Sequence, residues 1–191
     1  MVQNIGQWDI TMDKNQSILF ATNTQKVLDF LLERPGKEFV EREIREAVGI
    51  SKSGVNYALR ELVRANFIFR YKKGKIYLYS LNNKNPVVKQ LKVLKTIICI
   101  QPILKKLKKL SSKVILFGSS SRGENIEDSD IDLFVISNIK KEEIETQINK
   151  LKSKRKLQLV VRTELGEIEL KDNDPTFYDQ IQKGIILWQR E

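Results

Sequence analysis

The chain has 191 residues, of which 41% are hydrophobic, so it has the length of one ordinary domain or of two small ones. It has no histidine and one cysteine, Cys99, which excludes histidine-based triads, histidine-ligated zinc sites and a disulfide within the chain. No stretch reaches the roughly 18 uncharged apolar residues of a membrane span. No secretory signal is evident either, so we expect a cytoplasmic protein.

The net charge of +10 is distributed unevenly along the chain. Residues 1–83 contain 13 basic and 9 acidic residues, residues 84–113 contain nine lysines and no acidic residue, and residues 114–191 contain 12 basic and 15 acidic residues. This asymmetry indicates a polyanionic partner for the N-terminal half. The alternative is a solvated lysine-rich surface.

The first part of the chain has the pattern of three helices and a hairpin. Helical periodicity predicts a helix over 17–33, a short helix over 40–48 and a third helix over 51–66. Two β-prone runs, 67–71 and 76–79, flank a polar turn that contains glycine and predict a β-hairpin.

This order of helices followed by a two-stranded wing resembles the winged helix-turn-helix family of archaeal and bacterial regulators, over residues 17–82. The resemblance implies a DNA-binding domain at 1–83 that holds duplex DNA with the third helix and the wing. The implied contacts, in which Asn and Arg suit base edges and Lys and Ser suit phosphates, are Lys52, Ser53, Asn56, Tyr57, Arg60, Lys72, Lys73 and Lys75. The alternative is a winged helix that contacts another protein.

A lysine-rich connector follows at 84–111, and its dense apolar positions predict helix, interrupted by Pro102. We expect this helix to pack against one or both domains, and it could also form a homodimer. The pattern after residue 112 predicts a small α/β domain at 112–191. Its expected elements are a strand at 114–117, a Gly/Ser loop, a strand at 131–136, a helix at 140–151, strands at 157–162 and 166–170, and a closing helix at 174–189.

The chemistry-bearing motif of this domain is Gly118-Ser119, then ten residues, then Asp130-Ile131-Asp132. Two acids spaced two apart on a strand point to the same face, where they could hold divalent ions beside a triphosphate. Because histidine is absent, carboxylates must hold any metal, which favours Mg²⁺ or Mn²⁺. Gly118 allows close backbone approach, and Ser119 offers a hydroxyl and an amide to phosphate oxygens.

The motif and its flanking strands resemble the minimal nucleotidyltransferases of the DNA polymerase beta superfamily, over residues 112–190. The resemblance implies transfer of a nucleoside monophosphate from an NTP to a hydroxyl, with release of pyrophosphate. Asp130 and Asp132 would be the catalytic metal ligands, and Gly118 and Ser119 would bind the nucleotide. Arg122 would bind a phosphate of the nucleotide or, alternatively, stabilise the fold. The predicted fold class is therefore α+β, a winged helix-turn-helix joined to a small α/β nucleotidyltransferase domain with a mixed sheet.

Active members of this family carry a third carboxylate on the strand after the helix, where this chain has Gln158. Glu164 is an alternative source of that carboxylate. Whether the domain is a working enzyme is therefore left open, and the second hypothesis is a transcriptional regulator that uses it to sense nucleotide or to assemble. Expected acceptors are a protein tyrosine, a small molecule such as an aminoglycoside, or an RNA end, and a small helical protein of a toxin–antitoxin pair is a further expected partner.

Overall fold

The structure is a computed structural model that describes residues 19–149, 151 and 155–190. The chain divides into two compact units, Met1–Val88 and Lys89–Glu191. The elements of the first unit are α1 (Asn23–Leu32), β1 (Glu38–Val40), α2 (Glu41–Val48), α3 (Lys52–Arg64), β2 (Ile68–Lys73) and β3 (Ile76–Leu81). Helix α4 (Pro86–Cys99) crosses the boundary and is followed by α5 (Gln101–Leu110), β4 (Lys113–Phe117), α6 (Gly118–Ser121), β5 (Ile131–Ile136), α7 (Lys141–Ile148), β6 (Leu157–Arg162), α8 (Glu164–Asn173), α9 (Pro175–Gln182) and β7 (Ile185–Gln189).

Helix α1 begins later than the predicted residue 17 because Thr22 caps it. The Gln25 backbone N–H donates to Thr22 Oγ1 at 3.3 Å, and the Thr22 N–H donates to Gln25 Oε1 at 3.0 Å. This reciprocal pair satisfies two donors that a helix start otherwise leaves without partners. Residues 17 and 18, at the predicted start, lie outside the described residues.

The two helices predicted over 40–48 and 51–66 are confirmed, with the second ending at Arg64. Gly49 ends α2 in the left-handed region, with φ +70°. The Gly54 N–H donates to Ser51 Oγ at 3.1 Å, which caps α3 as its sequence predicted. The apolar faces of the three helices are buried, and their central residues are Val27, Leu31, Ile44, Val55, Leu59 and Leu62.

The predicted hairpin is also confirmed, and it belongs to a three-stranded sheet. Strands β2 and β3 pair antiparallel as far as Lys73 and Ile76, and Gly74 turns between them with φ +61°. Strand β1, which the sequence pattern did not indicate, pairs antiparallel with β3, so the strand order is β1-β3-β2.

The second unit contains a four-stranded sheet of order β6-β5-β4-β7. Strands β5 and β6 are parallel, whereas β4 is antiparallel to both β5 and β7. The mixed sheet of the predicted fold class is therefore confirmed, and so are the strands predicted at 114–117, 131–136 and 157–162.

Alternation along these strands produces two buried faces. One face packs against α5 and α7 in one continuous cluster, whose central side chains are Leu116, Leu133, Val135, Leu104, Leu107 and Ile144. The other face packs against α8 and α9, and its members are Ile115, Phe117, Phe134, Ile136, Leu170, Phe177 and Ile181. The sheet is thus covered by helices on both faces.

The end of the chain differs from its prediction in two places. The strand predicted at 166–170 is wrong, because Thr163 caps a helix there: the Gly166 N–H donates to Thr163 Oγ1 at 3.1 Å, and Glu164 and Glu167 lie in the favourable first turn. The closing helix predicted at 174–189 is wrong after Gln182, because the apolar run Ile185–Gln189 pairs with β4 as an edge strand.

The lysine-rich connector is helical as predicted, although the break falls at Ile100 between α4 and α5. Pro102 lies in the first turn of α5, where a missing N–H costs no helical hydrogen bond. The apolar face of α5 belongs to the core of the second unit, so the lysines of α5 lie on a docked helix. Among the residues described, no helix is long and apolar enough to cross a membrane.

Gly184 offers a test of this packing, because the chain passes very close to β4 there. A Cβ at Gly184 would lie 2.5 Å from Leu116 O and 2.8 Å from Ile181 O. Gly184→Ala should therefore destabilise the protein by about 1–3 kcal/mol, the usual cost of overpacking. Gly166→Ala is the matched control, since its Cβ would meet no atom closer than 3.3 Å. Urea denaturation followed by circular dichroism measures both variants, and equal stabilities would contradict the close approach of β7 to β4.

Candidate functional site

Strand pairing places Asp132 at one end of the sheet, next to the point where β4 leads into Gly118. Asp132 pairs with Phe117 on β4 and with Gln158 on β6. Residues paired in this way point to the same face of the sheet. Asp132 therefore has the end of β4, which leads directly into Gly118, on one side and Gln158 on the other.

Both the backbone conformation and the neighbouring atoms require glycine at position 118. Its φ is +69°, a conformation that residues with a Cβ rarely adopt. A Cβ at this position would also overlap Asp132 Oδ2. The absence of a side chain thus allows the Asp132 carboxylate to lie directly against the turn, and the segment predicted as a Gly/Ser loop is a single helical turn, α6.

The three serines after Gly118 have different environments. Ser120 is fully buried, and its hydroxyl donates to the carbonyl oxygen of Asp130 at 3.3 Å. The Ser121 hydroxyl donates to the Gly118 carbonyl oxygen at 2.9 Å. The Ser119 hydroxyl has no hydrogen-bond partner among the described residues and is half-exposed. Ser119 is therefore the one of the three whose hydroxyl can donate to a ligand without breaking a bond of the fold.

Arg155 joins the turn to the acidic end of β5. Its Nε donates to the Ser129 carbonyl oxygen at 2.8 Å, and its Nη2 donates to Ser120 Oγ at 2.9 Å and to the Asp130 carbonyl oxygen at 3.0 Å. Burial lowers the pKa of Arg155, while the charges of Asp132 and Asp130 act in the opposite direction. Through these three hydrogen bonds the guanidinium links both halves of the motif.

The two acids have unequal environments. Burial raises the pKa of Asp132, and the negative charge of Asp130 raises it further, whereas Arg155 opposes both effects. Asp130 directly precedes β5, and the exposed Lys156 ammonium lies 3.9 Å from its Oδ2. The repulsion between the two carboxylates is the feature that a bound divalent cation would relieve.

Arg122, predicted to contact the nucleotide, forms an exposed salt bridge with a neighbour in the chain. Its Nε donates to Glu124 Oε2 at 2.9 Å, and Lys89 Nζ donates to the other oxygen of the same carboxylate at 3.2 Å. Lys92 is buried nearby and donates to the Asn125 carbonyl oxygen at 2.7 Å, and burial lowers its pKa to about 8. The bonds of Lys89 and Lys92 attach α4 to the loop between the two parts of the motif. The binding of nucleotide by Arg122 stays a prediction.

The third position of the predicted metal site is occupied by a neutral amide. The strand register confirms that Gln158 is the neighbour of Asp132. Glu164 does not replace it, because it begins α8 beyond the far end of β6, roughly 20 Å from Gln158 at the usual rise of an extended strand. Within the described residues no three Asp, Glu, His or Cys side chains gather as a metal site.

The residues predicted to contact DNA lie on two elements of the first unit. Lys52, Ser53, Tyr57 and Arg60 are exposed on α3, and Lys72, Lys73 and Lys75 are exposed at the hairpin tip. Asn56 is half-buried, and its Nδ2 donates to the Lys52 carbonyl oxygen at 2.8 Å. The side chain of Asn56 must leave this bond before it can read a base edge, so Arg60 is the more available of the two base-reading candidates.

Comparison with known protein families finds one similarity, and it lies in the second unit. Residues 100–187 match the family model described as nucleotidyltransferase domain, a range that runs from the start of α5 into β7 and includes the whole motif. This part of the second unit is therefore similar to nucleotidyltransferase domains, whose activity is nucleotide transfer and which generally use divalent metal ions. Neither the curated proteins nor the solved structures include a significant match to the chain.

The side chains present fit a divalent ion of the hard, oxygen-preferring type. Asp130 and Asp132 supply carboxylate oxygens on one face, and the charge of Asp130 contributes to the raised pKa of Asp132. Such donors suit Mg²⁺ or Mn²⁺. The amide oxygen of Gln158 is a weaker donor, so the pair of acids is the part of the site that would hold the ion.

Sequence reasoning missed Arg155 and the buried Ser120. Arg155 lies in the run KLKSKRK, which has the composition of a solvated basic segment. The one available signal is that a single arginine stands among lysines, and arginine is preferred where one side chain must donate to several oxygens in a fixed geometry. No sequence pattern indicated which oxygens those are.

Replacing Gly118 tests the contact between the turn and the acid pair. Gly118→Ala should abolish NTP binding in the presence of Mg²⁺, because the added Cβ displaces the Asp132 carboxylate. Gly74→Ala is the matched control, since Gly74 has a similar positive φ of 61° but no atom within 4 Å of the position that a Cβ would occupy. Calorimetry with each NTP, together with thermal unfolding, separates the two effects. A Gly118→Ala variant that binds NTP like the wild type would contradict the assigned geometry.

Proposed function

We propose that the second unit binds an NTP with Mg²⁺ or Mn²⁺ at Gly118, Ser119, Asp130 and Asp132, and that it transfers a nucleoside monophosphate to a hydroxyl in the cytoplasm. The observation that carries this proposal is the packing of the Asp132 carboxylate against Gly118, the residue of the turn that has no Cβ. A phosphate group can approach this turn closely, beside a carboxylate pair that attracts a cation.

The proposed reaction forms a bond between the acceptor oxygen and the α-phosphorus and breaks the bond between the α- and β-phosphates, so that pyrophosphate leaves with the bonding electrons. The cation, when bound, neutralises charge on the triphosphate and the leaving group. Asp130 and Asp132 hold that cation, while the backbone at Gly118 and the hydroxyl of Ser119 bind phosphate oxygens. These groups act by positioning and by electrostatic stabilisation.

The acceptor proton needs a base, and Gln158 cannot provide one. In this proposal nucleotide binding depends on Asp130 and Asp132, whereas activation of the acceptor hydroxyl depends on position 158, which is a neutral glutamine. We therefore propose slow transfer, and the second candidate function is a regulator whose domain binds nucleotide without transferring it. The Asp132–Gln158 pairing is the observation that favours this second candidate.

Removing both acids tests nucleotide binding. Asp130→Ala combined with Asp132→Ala should abolish magnesium-dependent binding of every NTP, because these two carboxylates are the proposed cation donors, and that of Asp132 lies against the Gly118 turn. Asp128→Ala is the control, an exposed acid of the same loop. Calorimetry gives the affinities and circular dichroism verifies folding. Unchanged affinity in the folded double variant would refute the proposed site.

Restoring the third carboxylate tests the transfer step. Gln158→Asp should raise turnover, because positioned proton transfer typically contributes about 10²- to 10⁴-fold in rate. The measurement is transfer of label from an α-labelled NTP, with Mg²⁺, to acceptors of a cell extract, and it also identifies whether the acceptor is a protein, an RNA or a small molecule. Gln147→Asp, exposed on α7, is the control. A vigorous wild-type enzyme that loses activity on Gln158→Asp would contradict slow transfer limited by the amide.

We propose that the first unit is a winged helix-turn-helix module that binds duplex DNA. The support is its order of three helices followed by a hairpin, the cap at Ser51 that begins α3, and the exposed lysines at the hairpin tip. This arrangement suits insertion of α3 into a major groove while the hairpin reaches the flanking backbone or minor groove.

A cleft between α3 and the hairpin adds to this support. It has a volume of about 220 Å³, and its lining includes Arg60, Arg64, Arg70 and Tyr79. Arg64 is paired with Glu61 at 2.6 Å, and the Arg70 guanidinium stacks 3.8 Å from the Tyr77 ring centroid. Three guanidinium groups line one cleft and one of them is paired with a carboxylate, which gives this side of the unit the positive potential that a phosphate backbone attracts.

Salt dependence tests DNA binding by the full chain. Replacing Lys72, Lys73 and Lys75 by Gln should weaken binding to all duplexes alike and flatten the plot of log affinity against log salt by about 0.9 for each phosphate that is no longer neutralised. Arg60→Ala should instead weaken a sequence selected from random duplexes most strongly. Arg42→Gln, whose guanidinium is already bound to Glu46 at 2.7 Å, is the control. Absence of duplex binding near physiological salt would favour the protein-contact alternative.

The further partners proposed are a small helical protein and a second copy of this chain. The first rests on the resemblance to minimal nucleotidyltransferases and the second on the lysine-rich helix. Light scattering of the purified chain, with and without a co-purified protein, tests both by the mass it measures.

A further inference from the structure

We propose that Arg155 is the positioning residue of this site, which fixes the Gly118–Ser121 turn against the start of β5 so that Ser119 and the two acids face one ligand. This inference rests on the proposed function for its ligand, but its structural part can be tested without one. Arg155 donates to three oxygens in two segments, at distances of 2.8, 2.9 and 3.0 Å. The Ser120 hydroxyl also joins the two segments, through its longer bond of 3.3 Å to the Asp130 carbonyl oxygen.

The geometry of the contacts requires a guanidinium. Nε and Nη2 belong to one rigid plane, and they reach the carbonyl oxygens of Ser129 and Asp130 together with Ser120 Oγ. A lysine ammonium is a single point charge on a flexible stem and cannot donate to all three in the same arrangement. The planar fork therefore fixes both the distance and the angle between the two segments.

The segments that Arg155 joins are adjacent to the residues of the motif. Ser120 directly follows Ser119, and Arg155 and the Ser120 hydroxyl both donate to the Asp130 carbonyl oxygen, so three groups meet at one point. Asp130 begins the acid pair. A shift of the turn relative to β5 would separate the phosphate-binding groups from the cation-binding groups, and displacements of about 1 Å in such a site are costly for catalysis.

The backbone next to Arg155 is itself fixed by the sheet. The Ile131 N–H donates to the Lys156 carbonyl oxygen at 2.9 Å, at the start of the parallel pairing of β5 with β6. Arg155 thus extends from the end of β6 that also carries Gln158. Residues 155–158 therefore supply both the guanidinium that orders the turn and the neutral amide beside Asp132.

The charge of Arg155 has a second consequence. The guanidinium is attracted to both Asp132 and Asp130, and it offsets part of the repulsion between them. The three bonds that join the turn to β5 end on carbonyl and hydroxyl oxygens, so they do not occupy the carboxylate oxygens that a cation needs. Loss of the geometry should therefore weaken NTP binding while leaving binding of a cation alone nearly unchanged.

Two variants test whether the charge of Arg155 is sufficient without its planar geometry. Arg155→Gln removes the charge and the fork, whereas Arg155→Lys retains a charge and removes the fork. Arg162→Gln is the control, because Arg162 lies exposed at the other end of β6, where it donates to the neighbouring Val161 carbonyl oxygen at 2.8 Å. The full-length variants are compared by thermal unfolding, by amide hydrogen exchange at residues 118–121 and 129–131, and by binding of Mn²⁺ alone and of each NTP with Mn²⁺.

We predict that both Arg155 variants lose exchange protection at 118–121 and 129–131, while protection of β4 and of the rest of β5 is retained. Both should also bind NTP with Mn²⁺ at least about tenfold more weakly, with Mn²⁺ alone bound within about threefold of the wild type. Arg162→Gln should match the wild type in every measurement.

Several results would overturn the proposal. Unchanged exchange in both variants would show that Arg155 does not hold the turn, and full NTP affinity in Arg155→Lys would show that charge alone suffices. A uniform loss of protection across the sheet, with a lowered unfolding temperature, would show a general structural role. If the wild type binds no NTP with Mn²⁺, the proposed function fails, and the exchange measurements still decide whether Arg155 orders the turn.

Discussion

The register between β4, β5 and β6 is the constraint on which the rest of the site depends. It places Asp132 between Phe117 and Gln158, and the chain turns immediately after Phe117 into a residue that has no Cβ. A slip of one residue in either pairing would move Asp132 to the opposite face of the sheet, into the core beneath α5 and α7. The same register brings Arg155 to the start of β5, so the Gly118–Ser121 turn, Asp132 and the group that joins the turn to β5 all depend on two strand pairings.

Charge within this site is nearly balanced by the chain itself. Asp130 and Asp132 are accompanied by the positive charges of Arg155 and Lys156, and the third position is a neutral amide. A site with three carboxylates would attract two cations strongly. Two carboxylates beside a fixed guanidinium carry less negative charge, so they should bind fewer cations. This balance is the physical reason to separate nucleotide binding, which the present side chains support, from fast transfer, which needs a base that Gln158 does not supply.

The parts of the fold that depend on local pattern were predictable from the sequence. Strands 131–136 and 157–162, the cap at Ser51 and the hairpin turn at Gly74 each have a short-range signal. The family match contains the motif, but it begins at residue 100, inside the segment predicted as a connector. Long-range pairing was not predictable in the same way: Ile185–Gln189 is apolar enough for either a helix or a strand, and only the neighbouring β4 decides. The pattern at 166–170 indicated a strand, but the Thr163 cap produces a helix. Arg155 was missed because its function depends on carbonyl oxygens that the fold brings to it.

The most direct measurement is a crystal structure of the chain with Mn²⁺ and a non-hydrolysable NTP, with anomalous scattering used to locate manganese. We predict a manganese peak bound by Asp130 and Asp132, with the triphosphate against Gly118 and Ser119 and with the three hydrogen bonds of Arg155 retained. Nucleotide bound at another surface, or manganese bound without contact to either acid, would contradict the proposed site.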